Sequence, residues 1–159
     1  MSFGVSIGDI VVCLQLVHRV FSIVGKGRKN APRDLKELQN ALLGLSCVLE
    51  LLKKEHEKVM SSQAAPATTI QTSQFLGYLI HSCEEALHQL EDATEQYKEA
   101  LDESGNASYK DQLKIQWKRM LWSMRGDTLM QYRDKLRSHT DSINLLLNTS
   151  VWSVHLQID

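Results

Sequence analysis

The chain has 159 residues, a formal net charge of −1, 43% hydrophobic residues and only two prolines. This length suits one domain with a sizeable core, and the few prolines and aromatic residues favour an α-helical protein. No overall positive charge is present to attract phosphates, so nucleic-acid binding is a poor interpretation. We expect a single helical-bundle domain over residues 1–159.

The first predicted helix, residues 6–24, is apolar on nearly every side, with a polar strip only in its second half. A helix of this kind is either buried or meets a membrane. Asp9 and Arg19 lie within the run, and a charge at the bilayer centre costs about 2.5–3.5 kcal/mol on insertion scales, which argues against a fixed transmembrane span. The segment also lacks the basic start and small-residue cleavage site of a signal peptide.

The second predicted helix, residues 32–58, has the most regular apolar repeat of the chain. Its leucines recur at alternating spacings of three and four residues: Leu35, Leu38, Leu42, Leu45, Leu49 and Leu52. This pattern is typical of a long helix packed nearly antiparallel in a bundle. Glycines and cations in residues 25–30 are suited to end the helix before it.

The remaining segments predict three more helices. Residues 60–72 form a predicted loop because they show no apolar period. Helices are predicted over residues 73–101, 108–123 and 127–148, and Phe75, Leu79 and Cys83 begin the apolar stripe of the first of these. The predicted fold is all-α, a four- to five-helix antiparallel bundle with a central apolar N-terminal helix. The apolar residues 151–159 suggest that the chain is the N-terminal part of a longer protein.

Candidate chemistry is sparse, so we expect no enzymatic activity, no catalytic residue, no metal and no cofactor. His81, Glu85 and His88 lie at helical spacing on one face, and Glu85 with His88 has the Glu-x-x-His form of di-iron bundles. That site needs a second such motif, which the sequence lacks. A solvated polar face is therefore the favoured interpretation and a transition-metal site the alternative. His56 and His139 are interpreted as boundary histidines rather than ligands or bases.

Three cysteines, Cys13, Cys47 and Cys83, lie far apart without zinc-site spacing. We interpret them as small core residues of a protein in a reducing compartment, which predicts a cytoplasmic location.

The N-terminal segment carries two features that suit membrane contact. Gly4 and Gly8 are four residues apart, a spacing that allows helices to approach closely in lipid, although simple packing or chance also explains it. Lys26, Arg28 and Lys29 follow one helix length later, where cations can meet anionic head groups at about 1 kcal/mol each. A solvated turn is the alternative interpretation of these three cations.

Two segments resemble the fungal HeLo-like N-terminal domains: residues 3–10, with the sequence FGVSIGDI, and residues 31–38, with the sequence APRDLKEL. Trp117-Lys118-Arg119, residues 132–137 and residues 142–147 are similar as well. The resemblance implies a helical bundle related to cell-death-inducing HeLo domains, placed at the front of larger receptor proteins. It also implies that the bundle is held inactive, then oligomerises and engages membrane through its N-terminal segment.

From this resemblance we expect a non-enzymatic signalling and cell-death effector domain. Its membrane and oligomer contacts would be made by the first apolar segment and its head-group contacts by the cations that follow, namely Phe3, Gly4, Val5, Ile7, Gly8, Ile10, Val11 and Leu14, with Lys26, Arg28 and Lys29. The expected partners are further copies of the chain, membrane lipid at the plasma membrane on activation, and other domains of a parent receptor. The alternative is a helical adaptor that binds proteins and never touches lipid.

Overall fold

The computed structural model describes residues 6–24, 33–61, 69–103 and 129–158, with side chains described over residues 6–24, 33, 35–58, 74–95 and 130–149. These residues form four helices: α1 (Ile7–Val24), α2 (Arg33–Ser61), α3 (Thr69–Glu103) and α4 (Leu129–Ile158). No strand occurs in these four ranges. The predicted all-α bundle with an apolar N-terminal helix is confirmed, and the helix predicted over residues 108–123 lies outside the described residues.

Three helix boundaries differ from the prediction. α2 continues to Ser61 and α3 begins at Thr69, so both ends of the predicted loop over residues 60–72 are helical. α4 continues to Ile158, ten residues beyond the predicted end at residue 148. There the Thr149 hydroxyl donates to the carbonyl of Leu145 at 2.7 Å, which lets a poor helix former remain within the helix.

The four helices form a ring. α1 packs mainly against α2 and α3, and α4 packs mainly against the same two helices. The ring order is therefore α1, α2, α4, α3, and α1 occupies one corner, diagonally across from α4.

Helix directions follow from contacts between them. Glu37 pairs with Arg133, and about two turns later in both helices Gly44 lies beside Thr140. Because these contacts advance in the same direction along both helices, α2 and α4 run parallel. Contacts of Cys13 with Ile80 and of Arg19 with Glu91 likewise make α1 and α3 parallel.

The end of α1 meets the beginning of α2 at Val24 and Gln39, so these two helices are antiparallel. Along the chain, the four described helices alternate in direction, as an antiparallel bundle requires. Two of the four packed pairs nevertheless join parallel helices.

The core is built from one apolar face of each helix. All six leucines of the predicted α2 stripe are buried, as are Tyr132, Leu136 and Ile143 of α4. The α3 stripe was predicted less well. Cys83 is buried as predicted, but Phe75 is 57% exposed, and the buried Ile80 and Leu87 lie outside the predicted stripe.

Candidate functional site: the first helix

A capping box fixes the beginning of α1. The Ser6 hydroxyl accepts a hydrogen bond from the Asp9 backbone N–H at 3.2 Å, and the Asp9 carboxylate accepts one from the Ser6 backbone N–H at 3.1 Å. This reciprocal pair satisfies two backbone donors that a helix N-terminus leaves free, and the carboxylate also suits the positive end of the helix dipole. Asp9 therefore helps to cap the helix, whereas the sequence alone suggested an interruption of an apolar run.

The predicted membrane-contacting residues divide between two faces of α1. Ile10 and Leu14 are buried in the core, Ile7 and Val11 are half-buried, and Gly8 is exposed. Phe3, Gly4 and Val5 precede the described residues, and Lys26, Arg28 and Lys29 fall between α1 and α2, also outside them. In the closed bundle, Ile10 and Leu14 cannot reach a lipid surface without movement of α1.

The side of α1 turned away from the core is still partly apolar. Val12 is 38% exposed, and Ile7, Val11 and Phe21 are only half-buried. The predicted polar strip is solvent-facing, since Gln15, His18, Arg19 and Ser22 are all exposed. α1 therefore buries one apolar face and presents further apolar side chains beside a narrow polar strip.

Few polar contacts tie α1 to the other described helices. The side-chain amide of Gln39, itself buried, donates to the carbonyl oxygen of Val24 at 2.5 Å. This bond satisfies one of the backbone carbonyls that the C-terminus of α1 leaves free. Arg19 and Glu91 form an ion pair at 3.3 Å between α1 and α3, in which Arg19 is largely exposed.

The thiols of Cys13 and Cys83 meet where α1 packs on α3. Both side chains are fully buried, and Cys13 Sγ donates to the Ile80 carbonyl oxygen at 3.6 Å. The neighbouring Cys13 thiol, together with burial, raises the pKa of Cys83. The core interpretation is confirmed for these two cysteines and is wrong for Cys47, which is exposed because it lies on α2 opposite the leucine stripe.

Gly8 makes no close helix–helix contact. A Cβ atom built on it would have the Ser6 hydroxyl oxygen, 3.4 Å away, as its nearest neighbour outside the adjoining residues. Gly4 lies outside the described residues. Gly8 itself therefore has no role in packing α1 on the described helices.

A charged cluster joins the beginnings of α2 and α4. Arg133 donates to Glu37 and to Asp134, and Arg33 also donates to Glu37, at 3.1 Å. The hydrogen bond from Arg133 is the main cause that lowers the pKa of Glu37 below its usual value. This cluster fixes α4 beside α2 and does not touch α1.

The histidine face of α3 does not assemble a metal site in the described residues. His81, Glu85 and His88 are all exposed, and His88 Nε2 lies 3.6 Å from Glu84 Oε1. Across the described ranges, no group of three or more His, Cys, Asp or Glu side chains could hold a metal ion. The exposure of these three side chains agrees with the interpretation as a solvated polar face.

Comparison with known proteins adds no further identification, since no protein-family model, curated protein or solved structure matches this chain. By length and composition, α1 is the one described helix that could cross a membrane, and 44% of its 18 residues are buried in the bundle. The core helix of a water-soluble protein passes the same test. The candidate site is therefore α1, with its buried apolar face and the apolar side chains beside its polar strip.

Proposed function

We propose that this chain is a non-enzymatic signalling and cell-death effector domain that stores α1 in its bundle and uses α1 to engage membrane on activation. The observation that carries the proposal is that α1 has apolar side chains beside its polar strip as well as on the face that it buries. Ile10 and Leu14 serve the core, while Val11 and Val12 have apolar side chains that the core does not need. The resemblance of residues 3–10 and 31–38 to HeLo-like domains supports the same function.

The energetics of α1 restrict how it could be used. Seven aliphatic side chains of α1 are buried: Ile10, Leu14, Leu16, Val17, Val20, Ile23 and Val24. At about 1.5–3 kcal/mol for each fully buried side chain, they stabilise docking by roughly 10–20 kcal/mol as an upper bound. This is as large as the free energy of unfolding of a typical domain, about 5–15 kcal/mol. α1 therefore leaves only if another apolar environment replaces the core.

A membrane and a second copy of the chain both supply that environment. Removal of α1 would expose the faces of α2 and α3 that pack on it, and the same helix of another copy would fit there, as in domain swapping. Self-association and membrane engagement are thus two outcomes of one opening step. Lys26, Arg28 and Lys29 follow α1 directly and would lie near anionic head groups in an inserted state.

The proposed location is the cytoplasm, with relocation to the plasma membrane on activation. Other domains of a parent receptor would act as partners that keep the bundle closed.

Dye release from vesicles of phosphatidylcholine and phosphatidylserine tests this function with a matched pair of variants. Val12→Asp places a charge on the outer face of α1, where the side chain is 38% exposed, and Leu43→Asp places the same charge on α2, where it is 39% exposed. We expect the wild-type chain and Leu43→Asp to release dye and Val12→Asp to lose that activity. Equal release by the two variants, or none by the wild-type chain, would overturn the proposal.

A helical adaptor domain is the second candidate function. The observation that favours it is a pair of exposed aromatic side chains on α3, with Tyr78 82% exposed and Phe75 57% exposed. Exposed aromatic residues are common anchors of protein interfaces. In this function α1 is a permanent core helix, so neither variant nor wild-type chain releases dye.

A further inference from the structure

Two buried thiols, those of Cys13 and Cys83, are neighbours in the α1–α3 interface. Cys13 Sγ is hydrogen-bonded to the carbonyl oxygen of Ile80, one helical turn before Cys83. In an α-helix this carbonyl points toward the following turn, so its oxygen lies beside the side chain of Cys83. Both cysteines are fully buried and all three cysteines are free thiols.

Few contacts hold this part of the interface other than apolar packing. Arg19 and Glu91 form the described ion pair between α1 and α3, and Arg19 is 59% exposed, so the pair contributes little. A covalent bond between the thiols would thus hold α1 on α3 much more strongly than any polar contact described between these helices.

We propose that Cys13 and Cys83 form a reversible disulfide that covalently tethers α1 to α3, with glutathione disulfide as the class of oxidant. The proposal of the bond rests on the position of the two thiols alone. Its regulatory meaning, that oxidation locks α1 in the bundle and reduction permits its use, rests on the proposed function.

The reaction consists of two thiol–disulfide exchanges. When the interface opens, the Cys13 thiolate attacks glutathione disulfide, so that a sulfur–sulfur bond to one glutathione forms and the other glutathione leaves. The Cys83 thiolate then attacks the Cys13 sulfur and displaces the second glutathione. The two thiol protons end on the two glutathione thiols. Two protein thiols and one glutathione disulfide thus give one protein disulfide and two glutathione molecules.

Access to the thiols controls the rate of this oxidation. In the closed bundle, the neighbouring Cys13 thiol and burial raise the pKa of Cys83 and so disfavour its reactive thiolate. Oxidation should therefore proceed through transient opening of α1, and the exposed Cys47 should react first in the native chain. Once formed, the disulfide should slow hydrogen exchange of the most protected α1 amides by about 30-fold or more, since it constrains the opened and unfolded states.

The bond is tested in the Cys47→Ser variant, which retains only the two buried thiols. The protein is equilibrated in buffers of reduced and oxidised glutathione, quenched in acid and mapped by mass spectrometry without reduction. We expect a peptide pair linked through Cys13 and Cys83. Variants that also carry Cys13→Ala or Cys83→Ala should give only a mixed disulfide with glutathione. Mixed disulfides alone in Cys47→Ser, or no oxidation of it, would overturn the proposal.

A second measurement, dye release before and after reduction, tests whether the disulfide controls membrane activity, independently of whether it forms. Oxidised Cys47→Ser should release no dye from the phosphatidylserine-containing vesicles, and dithiothreitol should restore release. Release that is equal before and after reduction would overturn the regulatory role and leave the disulfide standing. No release from reduced wild-type chain would overturn the proposed function, again independently of the mapped bond.

Discussion

Replacement of Gln39 by methionine tests how the C-terminus of α1 is held. Methionine has a similar length and remains apolar in the core, but it cannot donate to the carbonyl oxygen of Val24. A buried acceptor left without its partner costs about 1–3 kcal/mol. Because 1.4 kcal/mol corresponds to a factor of about ten, the last turn of α1 should open between about five and 150 times more often.

Native-state hydrogen exchange measures this opening residue by residue. The amides of residues 22–24 should exchange faster in Gln39→Met, while those of α4, which does not depend on this bond, should change only as far as global stability does. Asn40→Met is the matched control because residue 40 is exposed on the same turn of α2. Equal exchange at residues 22–24 in the two variants would show that the bond does not hold the end of α1.

Three further predictions concern stability in urea. Leu16→Ala, at a fully buried position, should destabilise the bundle by about 2–5 kcal/mol, whereas Val12→Ala should change it by no more than about 0.5 kcal/mol. Because the fold lowers the pKa of Glu37, the stability that this carboxylate supplies is present above its usual pKa of 4.5 and is lost on further acidification; Glu37→Gln should lessen that loss. Because burial lowers the pKa of His139, the fold favours its neutral ring, so stability should fall below pH 6.5, and His139→Leu should remove this dependence.

The sequence was sufficient to predict features that lie within a single helix. The leucine stripe of α2 is regular enough to identify both the helix and its buried face, and all six leucines are in the core. The capping box was not predicted, but the sequence could have shown it, since Ser6 and Asp9 have its three-residue spacing. Gln39 could have been noticed as a polar residue four positions after Leu35, within the apolar stripe.

The contacts between helices could not be predicted in the same way. Whether Cys13 meets Cys83 depends on the register between α1 and α3, and no local pattern encodes it. The parallel pairing of these helices is likewise set by the ring order of the whole bundle. Phe75 was misplaced because the four-residue spacing from Phe75 to Leu79 and Cys83 drifts around the helix, away from the face that carries Ile80 and Leu87.

The contacts of α1 predict that it opens from its N-terminal end. Ser6 and Asp9 cap this end only locally, and among residues 6–12 only Ile10 is buried. From Cys13 onward, buried side chains recur on every turn, and Gln39 holds the far end. Amides at residues 11–13 should therefore exchange faster than those at residues 18–21, and Ile10→Ala should widen this difference. Uniform exchange along α1 would mean that the helix moves as one unit, and faster exchange at residues 18–21 would mean that opening begins at the Gln39 end.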